Sequence, residues 1–65
     1  MAKEYILRVN DNKGQEEFVY QEISDGVVTS TMYASDELGQ DIINAMADRV
    51  RNKHAPLKLE VRVTK

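Results

Sequence analysis

The clearest pattern in the chain is a strict alternation of apolar and polar residues near its end. It occupies residues 57–65, where the sequence reads LKLEVRVTK, and its apolar positions are Leu57, Leu59, Val61 and Val63. A period of two is typical of a strand with one buried face. We therefore predict a strand here whose apolar row points into the core and whose polar row points outward.

Three earlier segments also have the composition of strands. They are residues 4–10, 16–23 and 27–33, and the third is especially rich in β-branched residues. Turn-forming residues separate them: DNKG at 11–14, and an Asp-Gly pair at 25 and 26. Asp-Gly between two apolar runs is a strong hairpin signal. We therefore predict two consecutive hairpins.

Between the third and last strands the apolar residues recur with the period of a helix. Ser35 can cap its start, and Pro56 should end it at or before His54. The predicted helix is thus amphipathic and roughly 15 to 18 residues long. Its apolar stripe consists of Leu38, Ile42, Ala45, Met46 and Val50, with Ile43 and Ala47 at the margin.

This order of elements, β-β-β-α-β, predicts a single α+β domain spanning residues 1–65. The sheet is four-stranded and mixed, with one helix packed on one face. A right-handed crossover places the last strand beside the first or beside the third. We favour the order 3-2-1-4, because it puts the two cleanest alternations side by side beneath the helix. The first strand then contributes Tyr5, Leu7 and Val9 to the helix side.

The second strand does not show which of its faces is buried. Phe18 and Tyr20 lie on one face, and Val19 and Ile23 lie on the other. The third strand has the same ambiguity. In either case apolar side chains remain on the face that the helix leaves uncovered.

We predict that this uncovered face binds another protein, because an exposed apolar patch is typical of an interaction surface. The residues predicted for it are Ile6, Phe18, Tyr20 and Tyr33. An exposed edge strand that pairs with its partner is the alternative protein-binding surface.

The length of the chain favours self-association. A domain of 65 residues has a small core, and such domains usually gain stability from disulfides, a metal or oligomerisation. The chain has no cysteine, which excludes disulfides and thiolate metal sites. We therefore predict a homodimer.

Charge is unevenly distributed and suggests a second kind of partner. Residues 1–42 carry three bases and nine acids, whereas residues 43–65 carry six bases and two acids. The six bases form the alternative, nucleic-acid-binding prediction: Arg49, Arg51, Lys53, Lys58, Arg62 and Lys65. Ordinary surface charge is the preferred interpretation, because Arg51 projects away from Arg49 on the helix and Glu60 interrupts the strand's basic row.

No pattern in the chain indicates an enzyme. Three isolated glycines cannot form a phosphate loop. The acidic turn at 9–20 lacks carboxylates at the first, fifth and twelfth positions of a calcium loop, which are Val9, Lys13 and Tyr20. The one histidine, His54, has no partner residues for catalysis or metal binding. We therefore predict no enzyme, and no catalytic, cofactor-binding or metal-binding residue.

The location is predicted to be cytoplasmic. The first residues, MAKEYILRVNDNK, contain no long apolar run, so we expect neither a signal peptide nor a membrane span. The absence of cysteine is consistent with a reducing compartment.

In outline, three strands followed by a helix resemble the small sheet-first DNA-binding domains of plant transcription factors and some integrases. Those sheets are rich in Arg and Trp, whereas this chain has acidic hairpins, no Trp and a fourth strand. No residue role is therefore carried over. The predicted function is that of a non-enzymatic interaction or regulatory protein. One hypothesis is an inhibitor of the kind that phages or other mobile elements encode.

Overall fold

A computed structural model describes residues 2–64, and in it the chain forms four strands and one helix. The elements are β1 (Lys3–Asn12), β2 (Gln15–Ser24), β3 (Val27–Ala34), α1 (Glu37–Asn52) and β4 (Leu57–Thr64). The sheet order is β3-β2-β1-β4, with β1 antiparallel to β2 and parallel to β4. The predicted fold, a small α+β domain with this strand order and one helix against the sheet, is confirmed.

Both hairpins turn through two residues with positive φ. The first turn contains Lys13 at 55° and Gly14 at 86°, and the second contains Asp25 at 51° and Gly26 at 81°. Two consecutive positive φ angles give the turn whose twist matches that of the flanking antiparallel strands. The hairpin predicted from the Asp-Gly pair is thus confirmed.

The helix begins one residue later than predicted. Asp36, and not Ser35, is the N-cap, because its Oδ1 accepts a hydrogen bond of 2.7 Å from the backbone N–H of Gly39. At the other end His54 takes a left-handed conformation and its N–H bonds to the Arg51 carbonyl. A left-handed residue after the last turn is a common helix ending. His54 therefore has a structural role at the end of α1.

The core lies between α1 and one face of the sheet. The helix contributes Ile43, Ala47 and Val50, and the sheet contributes Leu7, Tyr20 and Ala34. Partly buried side chains surround this cluster: Tyr5, Phe18, Met32, Met46, Ala55 and Leu57. The predicted packing of the odd-numbered apolar residues of β1 toward the helix is correct for Tyr5 and Leu7.

The predicted apolar stripe of the helix is partly wrong. Leu38 is 72% exposed and Ile42 and Ala45 are also exposed, whereas Ile43 and Ala47 lie at the centre of the contact. The helix packs on the sheet through Ile43, Ala47 and Val50, which lie three or four residues apart and so share one narrow face. The stripe inferred from the sequence contained more apolar residues than this narrow contact can bury.

The predicted burial of the β4 row is also wrong. Leu59, Val61 and Val63 lie on the same face as the helix, but they are 57%, 63% and 64% exposed. An α-helix with its side chains is about 10 Å wide, and strands are about 4.8 Å apart. One helix therefore cannot cover all four strands, and the part of β4 beyond Leu57 is left exposed.

Gly39 sets the distance between the start of α1 and the end of β3. A β-carbon at this position would lie 2.9 Å from Ala34 Cβ and 2.8 Å from Asp36 Oδ1. Both distances are shorter than normal van der Waals contact. The close approach of the helix therefore requires glycine here.

We predict that Gly39→Ala destabilises the protein. Overpacking costs about 1 to 3 kcal/mol, and this exceeds the gain of about 1 kcal/mol from replacing a helical glycine by alanine. Chemical denaturation should show a net loss of about 1 kcal/mol. In an Ala34→Gly background, which removes the nearest carbon, the same substitution should cost less. A stabilised Gly39→Ala protein would contradict this role.

Candidate protein-interaction site

The free edge of β4 presents unpaired backbone groups. Tyr5 N–H donates to the Pro56 carbonyl at 3.2 Å, and Lys13 N–H donates to the Thr64 carbonyl at 3.4 Å. Successive residues of a strand direct their backbone groups to opposite edges, so the even-numbered residues of β4 face β1. The odd-numbered residues therefore direct their N–H and C=O groups outward: Leu57, Leu59, Val61 and Val63.

The side chains of the same odd-numbered residues form an exposed apolar row. Leu59, Val61 and Val63 are each more than half exposed, and Leu57 is partly buried against the core. Within residues 2–64, β4 pairs with β1 alone. Edge strands with free backbone groups are normally protected from pairing with other chains, and inward charges or prolines are common means of protection. The apolar row of β4 contains neither.

The opposite face of β4 carries a cluster of charges around Glu60. Its carboxylate lies 3.5 Å from Arg8 Nε, 3.7 Å from Lys58 Nζ and 3.7 Å from Arg62 Nη2. Three cations thus share one carboxylate, and Lys58 and Arg62 remain largely exposed. The two faces of the strand therefore differ completely, with apolar side chains toward the helix and charged side chains away from it.

The structure corrects the predicted protein-binding face. Phe18 and Tyr20 lie on the helix-covered side, because the register pairs them with Val9 and Leu7 of β1. Tyr20 is fully buried and Phe18 packs against the core, so their predicted place on the uncovered face is wrong.

The other two residues predicted for that face, Ile6 and Tyr33, do lie opposite the helix. Ile6 is half-buried and Tyr33 is 70% exposed, and the structure does not test whether either binds a protein. Val19, which pairs with Arg8 of β1 and with Tyr33 of β3, is buried on this face. Much of the remaining surface is polar or charged, so the face is less apolar than the row on β4.

The bases predicted to bind nucleic acid do not form one surface. On the helix, Arg51 pairs with Asp48 at 3.0 Å, while Arg49 and Lys53 line a depression beside Tyr20. The strand bases, Lys58 and Arg62, lie on the other side of the sheet. Lys65 is outside the described residues. The sheet thus separates the helix bases from the strand bases, and nucleic-acid binding stays a prediction.

The largest depression is lined mainly by polar side chains near the first hairpin. Gln40 Nε2 donates to the Glu16 carbonyl at 2.8 Å, and Asn10, Ser35 and Thr64 also line it. These groups can form hydrogen bonds.

Among residues 2–64, no cluster of three or more His, Asp or Glu side chains is arranged to hold a metal ion. No helix in the described part of the chain is long and apolar enough to cross a membrane.

Comparison with known proteins finds no relative. No family model matches the chain, and no curated protein or solved structure shows significant similarity to it. The geometry of the described residues is therefore the basis for assigning a function.

Burial affects the ionisation of the Tyr20 hydroxyl. Burial raises the pKa of its hydroxyl above the ordinary 10.0, and the nearby Glu22 and Tyr5 raise it further. The Tyr20 ring stacks on Tyr5 with 6.4 Å between centroids. Packing of the core thus holds this phenol in its neutral form.

We predict that Tyr20 weakens the fold at alkaline pH. Above its ordinary pKa of about 10 the unfolded chain releases this proton while the folded chain keeps it, so stability falls as the pH rises toward the raised pKa. Between about pH 10 and 11, the free energy of unfolding of Tyr20→Phe should therefore fall less steeply with pH than that of the wild type. The exposed Tyr33→Phe should leave the slope unchanged. Equal slopes in the wild type and Tyr20→Phe would refute the prediction.

Proposed function

We propose that the protein is a non-enzymatic interaction protein that binds another polypeptide by adding a strand to its sheet at β4. The supporting observation is the row Leu59, Val61 and Val63, which is exposed along an unpaired strand edge. A partner strand would use the outward N–H and C=O groups, and its side chains would cover the apolar row.

The energetics favour a polypeptide ligand. Covering the exposed part of each of these three side chains contributes about 1 to 2 kcal/mol, since full burial contributes about 1.5 to 3. Each new backbone hydrogen bond adds about 0.5 to 1.5 kcal/mol. Association costs on the order of 4 kcal/mol or more. Stable binding therefore needs both the burial of the apolar side chains and the new backbone hydrogen bonds, and a pairing strand supplies both.

The distribution of charge supports a protein partner over a nucleic acid. The bases of α1 and those of β4 lie on opposite sides of the sheet, whereas the apolar row and the free backbone edge adjoin each other along one strand. A polypeptide in the extended conformation matches this combination of groups. A nucleic acid would leave the apolar row exposed.

The same edge is consistent with the homodimer expected from the size of the chain. Self-association through β4 would extend a small core across two copies. A protein that binds through such an edge changes the activity of its partner by occupying the partner's binding surface. We therefore propose a regulatory role.

We predict that Val61→Lys abolishes partner binding without unfolding the protein. Val61 is 63% exposed, so the lysine reaches water in the free protein, but a bound strand would bury its charge. Val27→Lys is the matched control, because Val27 is 64% exposed on the other edge strand, β3. Circular dichroism should show that both variants fold.

To measure binding, the wild type and the two variants are immobilised and incubated with host-cell extract that also contains untagged copies of this chain. The proteins that each one retains are then compared. Mass spectrometry should identify polypeptides that the wild type and Val27→Lys retain and Val61→Lys loses. Retention of the same proteins by Val61→Lys, or of none by the wild type, would refute the proposed function.

A further inference from the structure

We infer that the strand bound at β4 is β4 of a second copy of this chain, paired antiparallel in the register centred on Val61. This inference rests on the function proposed above and specifies its partner. It depends on three properties of β4: which backbone groups face outward, which side chains are exposed, and how its charges alternate.

A two-fold axis perpendicular to the sheet pairs two identical edges in an antiparallel direction. Residues directly opposite each other then point to the same face. The outward backbone groups of Leu59, Val61 and Val63 meet those of the same residues in the second copy. Their apolar side chains come together on the helix side. Pairing by this symmetry therefore satisfies the backbone edge and the apolar row at once.

The charged row decides between the possible registers. With Val61 at the centre, Glu60 lies opposite Arg62 of the partner subunit, and the same pair repeats across the axis. Leu59 lies opposite the partner's Val63, and residues 58–64 all pair within β4. Opposite charges directly across an antiparallel pair are favourable.

The neighbouring registers are less favourable for definite reasons. Centring on Glu60 places the two Glu60 carboxylates opposite each other and Lys58 opposite Arg62 of the partner subunit, and like charges directly opposite are destabilising. Centring on Arg62 places two guanidinium groups together. Centring on Leu59 does pair Lys58 with the partner's Glu60, but only residues 57–61 then pair within β4 and Val63 stays exposed.

The helices leave room for this assembly. The helix comes close to β4 beside Leu57, which packs against the core, but it leaves Leu59, Val61 and Val63 each more than half exposed, so the segment that pairs is open. The result is a continuous eight-stranded sheet with both helices on one face and the apolar rows between them.

Charge exchange across the axis tests the register. Sedimentation equilibrium of the wild type should show a dimer, and Arg62→Glu and Glu60→Arg should each weaken it about tenfold, because each creates two like-charge contacts. An equimolar mixture of the two variants should form a heterodimer with near wild-type affinity. The double variant E60R/R62E should also form a homodimer, because its opposite charges again face each other.

A second measurement needs no variant and covers the case in which Glu60→Arg fails to fold. In the wild type, the backbone amides of Leu59, Val61 and Val63 should exchange rapidly with solvent when dilute and become protected as the concentration rises. Those of Lys58, Glu60 and Arg62, which face β1, should be protected throughout.

Three results would overturn the inference: a wild type that stays monomeric at high concentration, a dimer that Arg62→Glu does not weaken, or outward amides that stay unprotected in the dimer. A monomer that still captures a different protein in a Val61-dependent manner would leave the proposed function standing and refute only the identity of the partner. Loss of Val61-dependent binding of every kind would refute both.

Discussion

The contact between Ala47 of α1 and the sheet beneath it determines what this domain buries and what it leaves exposed. Ala47 is fully buried, and Gly39 lies so close to Ala34 that the space does not admit a β-carbon. Small residues at both places let the helix lie directly on Tyr20. A single helix is only about 10 Å wide, and this one leaves Leu59, Val61 and Val63 of the edge strand β4 exposed.

The exposure of the β4 row follows from this geometry. Strand order places β4 at an edge, and one helix cannot cover all four strands, so Leu59, Val61 and Val63 have no partner within residues 2–64 of their own chain that covers them. In a larger domain a second helix or a further strand would cover such a row. Residues 2–64 contain neither, and the proposed function assigns this cover to a second polypeptide.

In the strand pairing proposed above, the two faces of β4 have different roles. The apolar face supplies affinity without selecting a register, because Leu and Val side chains pack against one another in several alignments. The charged face supplies the selection, because Lys58, Glu60 and Arg62 alternate in sign and only some alignments bring opposite charges together. Arg8 and Glu60 are largely buried, but Lys58 and Arg62 are exposed, so the pairs that these two form with Glu60 contribute little to folding stability. Their main effect is on which strand can pair, and in what alignment.

Much of the fold was predictable from the sequence because it depends on local signals. The Asp-Gly hairpin, the proline after the helix and the alternation of β4 each act over a few residues. The right-handed crossover left two strand orders, and the clean alternations of the first and last strands favoured the observed one. The burial of Phe18 and Tyr20 was not predictable, because both faces of β2 are apolar and only the register with β1 selects one. The exposure of the β4 row was likewise decided by tertiary structure. Alternation shows that one face of a strand is apolar, but only the position and width of the helix decide whether that face is covered within the chain or left for a partner.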